Sequence, residues 1–172
     1  MDNMYKSEMW TKEEEKITFN YGDLYKISQN YTPHRDNAPA LIHYHPNGNK
    51  KEESWFQNGK TYNPNGPVFV SYYKNGFKKE EKWGSFKVNS LTTLHREDGP
   101  AVIMYYEDHE NVKMWEFWAI DGDYSNYKGP AIVHYFIDGT IHTTACEYYI
   151  NGKRYNENDW KAEVSKQMLD LL

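Results

Sequence analysis

A proline-headed unit of about thirty residues recurs four times along this chain, and that repetition constrains the fold more than any other feature. Pro39, Pro67, Pro100 and Pro130 each open a short apolar run, at intervals of 28, 33 and 30 residues. Each run passes through a turn into a second strand-like segment that closes on Trp55, Trp83, Trp118 or Tyr148. A period of that length makes the building unit a supersecondary module, and such modules bury apolar surface only by stacking on their neighbours. Proline suits the first residue of a strand, where the missing N–H donor is least costly.

The modules span residues 34–62, 63–93, 94–125 and 126–155. In the first, Ala40 to Tyr44 reads as a strand, Asn47-Gly48 as a tight hairpin turn, and Lys51 to Phe56 as the returning strand. Asn58-Gly59 then turns the chain again. Residues 1–33 read as a lead-in over 1–15 followed by a degenerate capping hairpin. In that hairpin Ile17, Phe19 and Tyr21 alternate, Gly22-Asp23 turns, and Leu24, Tyr25 and Ile27 continue. Over 156–172 the spacing of Trp160, Val164, Met168 and Leu171 predicts an amphipathic helix. A helix there would cap the open end of the sheet and protect its edge. The expected fold class is all-β, an elongated antiparallel array of four β-hairpin modules with a C-terminal capping α-helix.

A net charge of −5 argues against non-specific attachment to nucleic acid or anionic lipid, which reward a basic surface. The lone Cys146 leaves no internal disulfide and no multi-thiolate zinc site. No apolar run approaches the roughly 20 residues of a membrane span, and the polar N-terminus does not resemble a signal peptide. The expectation is a cytoplasmic protein with no cofactor and no bound metal. Aromatic residues make up 17% of the chain, sixteen of them tyrosines, which suits half-buried sheet and a binding face alike.

Two columns of residues recur at matching points of the repeats. Glu53/Trp55, Glu81/Trp83 and Glu116/Trp118 place an acid and an aromatic on one strand face, with Cys146 and Tyr148 in the fourth copy. The aromatic is expected to build the core, with the acid accepting from turn backbone. Tyr44, Tyr72, Tyr105 and Tyr135 form the second column, with His43 and His134 before its first and last members. They are either core residues or a stripe that meets a protein partner. A five-residue excess lies between Gly84 and Leu94, and insertions in regular arrays map to loops on one face, where binding elements gather. Phe86, Val88 and Leu91 of that insertion join the stripe as candidate partner-binding residues, and changing all three to Ser is expected to weaken binding without unfolding. The turn His95-Arg96-Glu97-Asp98 reads as a clasp, Arg96 and Asp98 tying it to the neighbouring module. Nothing in the chain orders a nucleophile, base and acid, so catalytic residues are expected to be none.

The stretch Leu94-His95-Arg96-Glu97-Asp98-Gly99-Pro100-Ala101, with its Asn-Gly turns and Trp-x-x-Asn-Gly strand exits, resembles the MORN-like repeats of bacteriophage and large DNA virus proteins. The resemblance covers about 34–155. It implies an elongated hairpin array and a binding role, here toward a host or viral protein, in the sharpest form a host defence component that is inhibited. A module holding a nucleotide-like anion, and a structural protein self-associating into a homo-oligomer through sheet edges, stand as the alternatives.

Overall fold

The computed structural model describes residues 6–85 and 93–169, which form a nine-stranded antiparallel sheet, four two-stranded ribbons and two α-helices. β1 (Lys6–Trp10) and β2 (Lys16–Asn20) make an N-terminal hairpin, followed by a 3-10 turn (Tyr21–Asp23) and α1 (Leu24–Asn30). β3 (Leu41–Tyr44) and β4 (Lys50–Ser54) make the next hairpin, which runs into the ribbon β5 (Phe56–Gln57) and β6 (Lys60–Thr61). The plan returns in β7 (Phe69–Tyr72) and β8 (Lys78–Lys82) with the ribbon β9 (Gly84–Ser85) and β10 (Thr93–Leu94). It returns again in β11 (Val102–Tyr105) and β12 (Lys113–Phe117) with β13 (Ala119–Ile120) and β14 (Asp123–Tyr124). The last unit keeps only β15 (Ile132–His134), then a 3-10 turn (Thr143–Ala145), the ribbon β16 (Tyr148–Ile150) and β17 (Lys153–Tyr155), and α2 (Glu157–Leu169). The sheet runs in the order β15-β12-β11-β8-β7-β4-β3-β1-β2.

The N-terminus departs from expectation. Residues 6–10 are a strand, not part of a lead-in, and Glu8-Met9-Trp10 is a further copy of the acid-x-Trp motif, placed between β2 and β3. Leu24 to Ile27, expected as a strand, is helical. Leu24 and Ile27 lie three apart, so one helical face carries both onto the buried cluster of Met9, Phe19, Ala40, Leu41 and Phe56.

The turns also differ from the simplest reading. Two-residue turns with both central φ angles positive occur in the ribbons, at Asn58-Gly59, Asp121-Gly122 and Asn151-Gly152. At Asn47-Gly48 only the glycine is left-handed (φ 90°), and the loop is closed by the His45 amide donating to the Asn49 carbonyl at 2.8 Å. The Asn47 side chain instead reaches forward and donates to the Lys74 carbonyl of the following hairpin at 2.7 Å. Asn75 repeats this toward the Glu107 carbonyl at 2.8 Å.

Register aligns one row of residues straight across eight strands: Glu8, Ile42, Glu53, Val70, Glu81, Ile103, Glu116 and Val133. All are buried. A β-bulge in each of three hairpins adds a residue before Tyr44, Tyr72 and Tyr105 find their partners Lys50, Lys78 and Lys113. That extra residue matters, because side chains three apart on a regular strand face opposite ways. With it, each Lys reaches the Glu three positions on, at 2.6, 2.8 and 2.6 Å.

The two ends of the sheet are finished differently. At the C-terminal edge the chain itself covers β15, where Ile132 exchanges backbone bonds with Glu147 and the His142 amide donates to the His134 carbonyl at 2.8 Å. α2 does not lie on that edge; it rests on the last ribbon. Asn156 caps it by accepting from the Asp159 amide at 2.9 Å. Trp160 is buried against Tyr148 and donates its indole N–H to the Asn126 carbonyl at 3.0 Å, while Met168 stays exposed. Of the expected apolar stripe, Trp160 is enclosed, Val164 is half-buried and Met168 is exposed, while Leu171 lies outside the described residues.

Candidate functional site

The tyrosine column is tied inward. Tyr44 donates to Glu8 at 3.0 Å, Tyr72 to Glu53, Tyr105 to Glu81, and Tyr135 to Glu116 at 2.9 Å. The last three bonds run from the first strand of one unit to the returning strand of the hairpin before it; Glu8 lies instead on β1, the first strand of the N-terminal hairpin. The carboxylate's other oxygen takes a lysine: Lys6 on Glu8, Lys50 on Glu53, Lys78 on Glu81 and Lys113 on Glu116. The buried acids therefore accept from tyrosine and lysine side chains, not from turn backbone as the sequence suggested. Both partners suit a buried carboxylate, which must keep its lone pairs satisfied. Burial and the bond to Glu8 push the Tyr44 phenol up to about 12. Burial and the corresponding glutamates raise Tyr72, Tyr105 and Tyr135 in the same direction.

His43 and His134 occupy one row on the opposite face, linked register by register through Glu52, Ser71, Glu80, Met104 and Trp115. The ends of that row differ completely. His43 is 3% exposed, hydrogen-bonded to Ser7 at 2.6 Å and covered edge-on by Tyr21 at 4.6 Å. Burial, helped by the Lys51 charge, lowers its pKa to about 4. Its side chain is enclosed by the N-terminal hairpin and the turn before α1, which corrects its placement on a partner-facing stripe. The sequence offered no sign of this, because the covering residues come from outside the repeats.

His134, by contrast, is half-buried on the part of the face that α1 does not reach. Trp115 stacks on it at 4.1 Å with an interplanar angle of 16°, and His142 stacks at 5.3 Å. Phe136 packs against His142 at 4.4 Å and Phe117 against Trp115 at 6.0 Å. Phe136, Ile137 and Ile141 are each about half exposed, at 46%, 51% and 50%. Sequence reasoning passed over Trp115, Phe117 and Phe136. Trp115 and Phe117 alternate with the acid column, so a period-2 reading of β12 places both on the face opposite Glu116.

Position explains why Phe136 is bare. In the preceding hairpins the equivalent residue bonds to the next unit: His45 to the Tyr72 carbonyl at 3.0 Å, Tyr73 to Tyr105 and Tyr106 to Tyr135, both at 2.8 Å. After Phe136 no further hairpin joins the nine-stranded sheet among the described residues, and an apolar ring stands where a polar tip would be.

Phe86, Val88 and Leu91 lie outside the described residues. Among the described residues no cluster of three or more His, Cys, Asp or Glu is arranged to hold a metal ion. No helix there is long and apolar enough to cross a membrane. No protein-family model, curated protein or solved structure matches the chain.

Proposed function

We propose that the chain is a non-enzymatic protein-binding repeat module that uses the Trp115–His134 end of its sheet as the contact surface. The observation that supports this reading most directly is the stacked aromatic run itself. A Trp, two His and two Phe side chains share an open sheet face. Contiguous exposed apolar surface of this kind is uncommon on a monomer unless something covers it. Aromatic anchors give large contact area for little lost side-chain entropy. The repeats add a rigid backing, since each unit of about thirty residues spends its Lys, Glu and Tyr groups on the next. The finer reading is an elongated MORN-like array encoded by a virus or bacteriophage that inhibits a host defence protein by occupying it.

The test uses the tagged chain and its Trp115→Ser/Phe136→Ser variant side by side in host lysate. The captured protein is then purified and titrated against both. A one-to-one complex that the variant weakens at least about tenfold, or about 1.4 kcal/mol, supports the reading. Equal binding by a folded variant moves the surface elsewhere. A mass that grows with protein concentration in the absence of partner favours self-assembly.

A further inference from the structure

The third repeat pairs its own arginine. The Arg96 guanidinium lies 4.2 Å from the Trp83 ring centre, donates through Nε to Asp98 at 2.8 Å and through Nη1 to the Pro100 carbonyl at 3.4 Å. His95 Nδ1 accepts the Asp121 amide at 3.2 Å and lies 2.9 Å from the Asp121 carboxylate. The first repeat keeps the same frame. Arg35 lies 4.2 Å over Trp10 and donates through Nη1 to the Pro39 carbonyl at 3.4 Å. His34 Nδ1 accepts the Asn58 amide at 3.0 Å.

Both carboxylates are missing from that frame. Asn37 stands at the position of Asp98 and Asn58 at that of Asp121. The turn also follows another path: a Cβ on Gly99 would come within 2.7 Å of the Arg96 guanidinium carbon, and Ala38 carries that Cβ. Asn37 takes a left-handed conformation (φ 57°). The Nε edge of Arg35, which Asp98 fills under Arg96, has no acceptor among the described residues. Asp36 does not supply one, because its Oδ1 accepts from Gln57 at 2.8 Å and stays 3.8 Å from His34 Nε2.

Arg35 helps to line a cleft of about 360 Å³ together with Trp10, Lys12 and His34. No ribbon follows β1; the Thr11 amide bonds the Glu15 carbonyl at 3.0 Å and the chain turns straight into β2. Because His34 Nδ1 accepts a hydrogen bond, its proton sits on Nε2, a donor. A planar guanidinium held against an indole is already in place to meet a planar acceptor. Glu14 and Asp36 also border the cleft, so one carboxylate end, with a single charge on its two oxygens, meets less repulsion there than a phosphate head with two.

We propose that this cleft is a carboxylate-binding site, in which a carboxylate from outside the chain takes the place at Arg35 that Asp98 holds at Arg96. Lys12 and His34 flank the bound group. The source is a free small di- or tricarboxylate or an acidic side chain of a peptide, and the site is independent of the aromatic surface proposed above.

The experiment follows the Arg35 Nε–H resonance at low ionic strength during separate titrations with succinate, a Glu-rich peptide and inorganic phosphate. A saturable Arg35 shift with carboxylate, weaker with phosphate, is expected. Asn37→Asp/Ala38→Gly rebuilds the third repeat's own pairing and is expected to weaken carboxylate binding about tenfold or more, with the Arg96 resonance unmoved. Arg35→Gln serves as a second variant and is expected to abolish it. Tighter binding of the peptide than of succinate assigns the source to a protein side chain; the reverse assigns it to a small molecule. No shift in the wild-type chain up to about 50 mM carboxylate, or equal affinity in both folded variants, overturns the proposal.

Discussion

Tyr135 donates a 2.9 Å hydrogen bond to Glu116 across the seam between the last two units of the sheet, and Lys113 holds the same carboxylate from its other side at 2.6 Å. The same three-part contact stands at Glu81 and Glu53, and at Glu8 with Lys6 in place of the bulge lysine. Hairpins that would be marginal alone are thereby joined at every seam by a buried, charge-assisted bond.

Tyr105→Phe is expected to destabilise the fold by about 1.5–3 kcal/mol, since it removes a donor from a buried carboxylate. Tyr105 is the most enclosed of the four, at 7% exposure. Urea unfolding of wild type and variant measures the loss. Phenylalanine fills the same space, so an unchanged midpoint would mean that Lys78 alone satisfies Glu81.

Alkali should unfold the chain cooperatively. Tyr44 has its folded pKa raised to about 12, and Tyr72, Tyr105 and Tyr135 are raised likewise, against an ordinary value near 10. A group raised in the folded state stabilises fully below its unfolded pKa, so this contribution is intact below about pH 10 and is lost above it. Tyrosinate absorbance and circular dichroism, followed together, should change in one step. Gradual ionisation with the sheet intact would contradict this.

Acid acts at the other end of the sheet. His43 is held neutral, with a folded pKa of about 4 against an ordinary value of 6.5. The unfolded chain binds the extra proton between these values, so stability is full above about pH 6.5 and falls toward pH 4, by on the order of 3 kcal/mol. Urea midpoints at pH 7 and pH 4.5 measure the drop. His43→Asn should flatten that dependence; an equal slope in both proteins would assign it to the carboxylates instead.

Trp160→Ala is expected to cost about 3–5 kcal/mol, by the loss of a buried indole and of its bond to Asn126. Met168→Ser, on the exposed end of the same helix, should change stability by less than about 0.5 kcal/mol. Thermal melts of the two variants distinguish a helix anchored at its first turn from one buried along its length.

The repeat was legible because period-2 alternation, proline entries and Asn-Gly turns are local signals. They located the strands of the three hairpins from β3 to β12 and placed the Glu and Tyr columns at equivalent positions. They did not show that the two columns meet. Tyr105 and Glu81 lie 24 residues apart, and their contact depends on the register between units and on the bulge at Met104/Tyr105. Local pattern also failed where elements outside the repeats decide, as for Glu8, which completes the row from a segment that read as lead-in.

Turn chemistry and side-chain alternation act within a few residues, so local pattern is enough to specify an antiparallel sheet of hairpins with a helix at its C-terminal end. Which face of each strand is covered depends instead on packing between distant elements. His43 and His134 share one row of one face, yet the first lies under the N-terminal hairpin and the second lies open beside Trp115. Burial depends on what packs above a strand, and that neighbour is set by sheet order and chain ends, not by the strand's own residues.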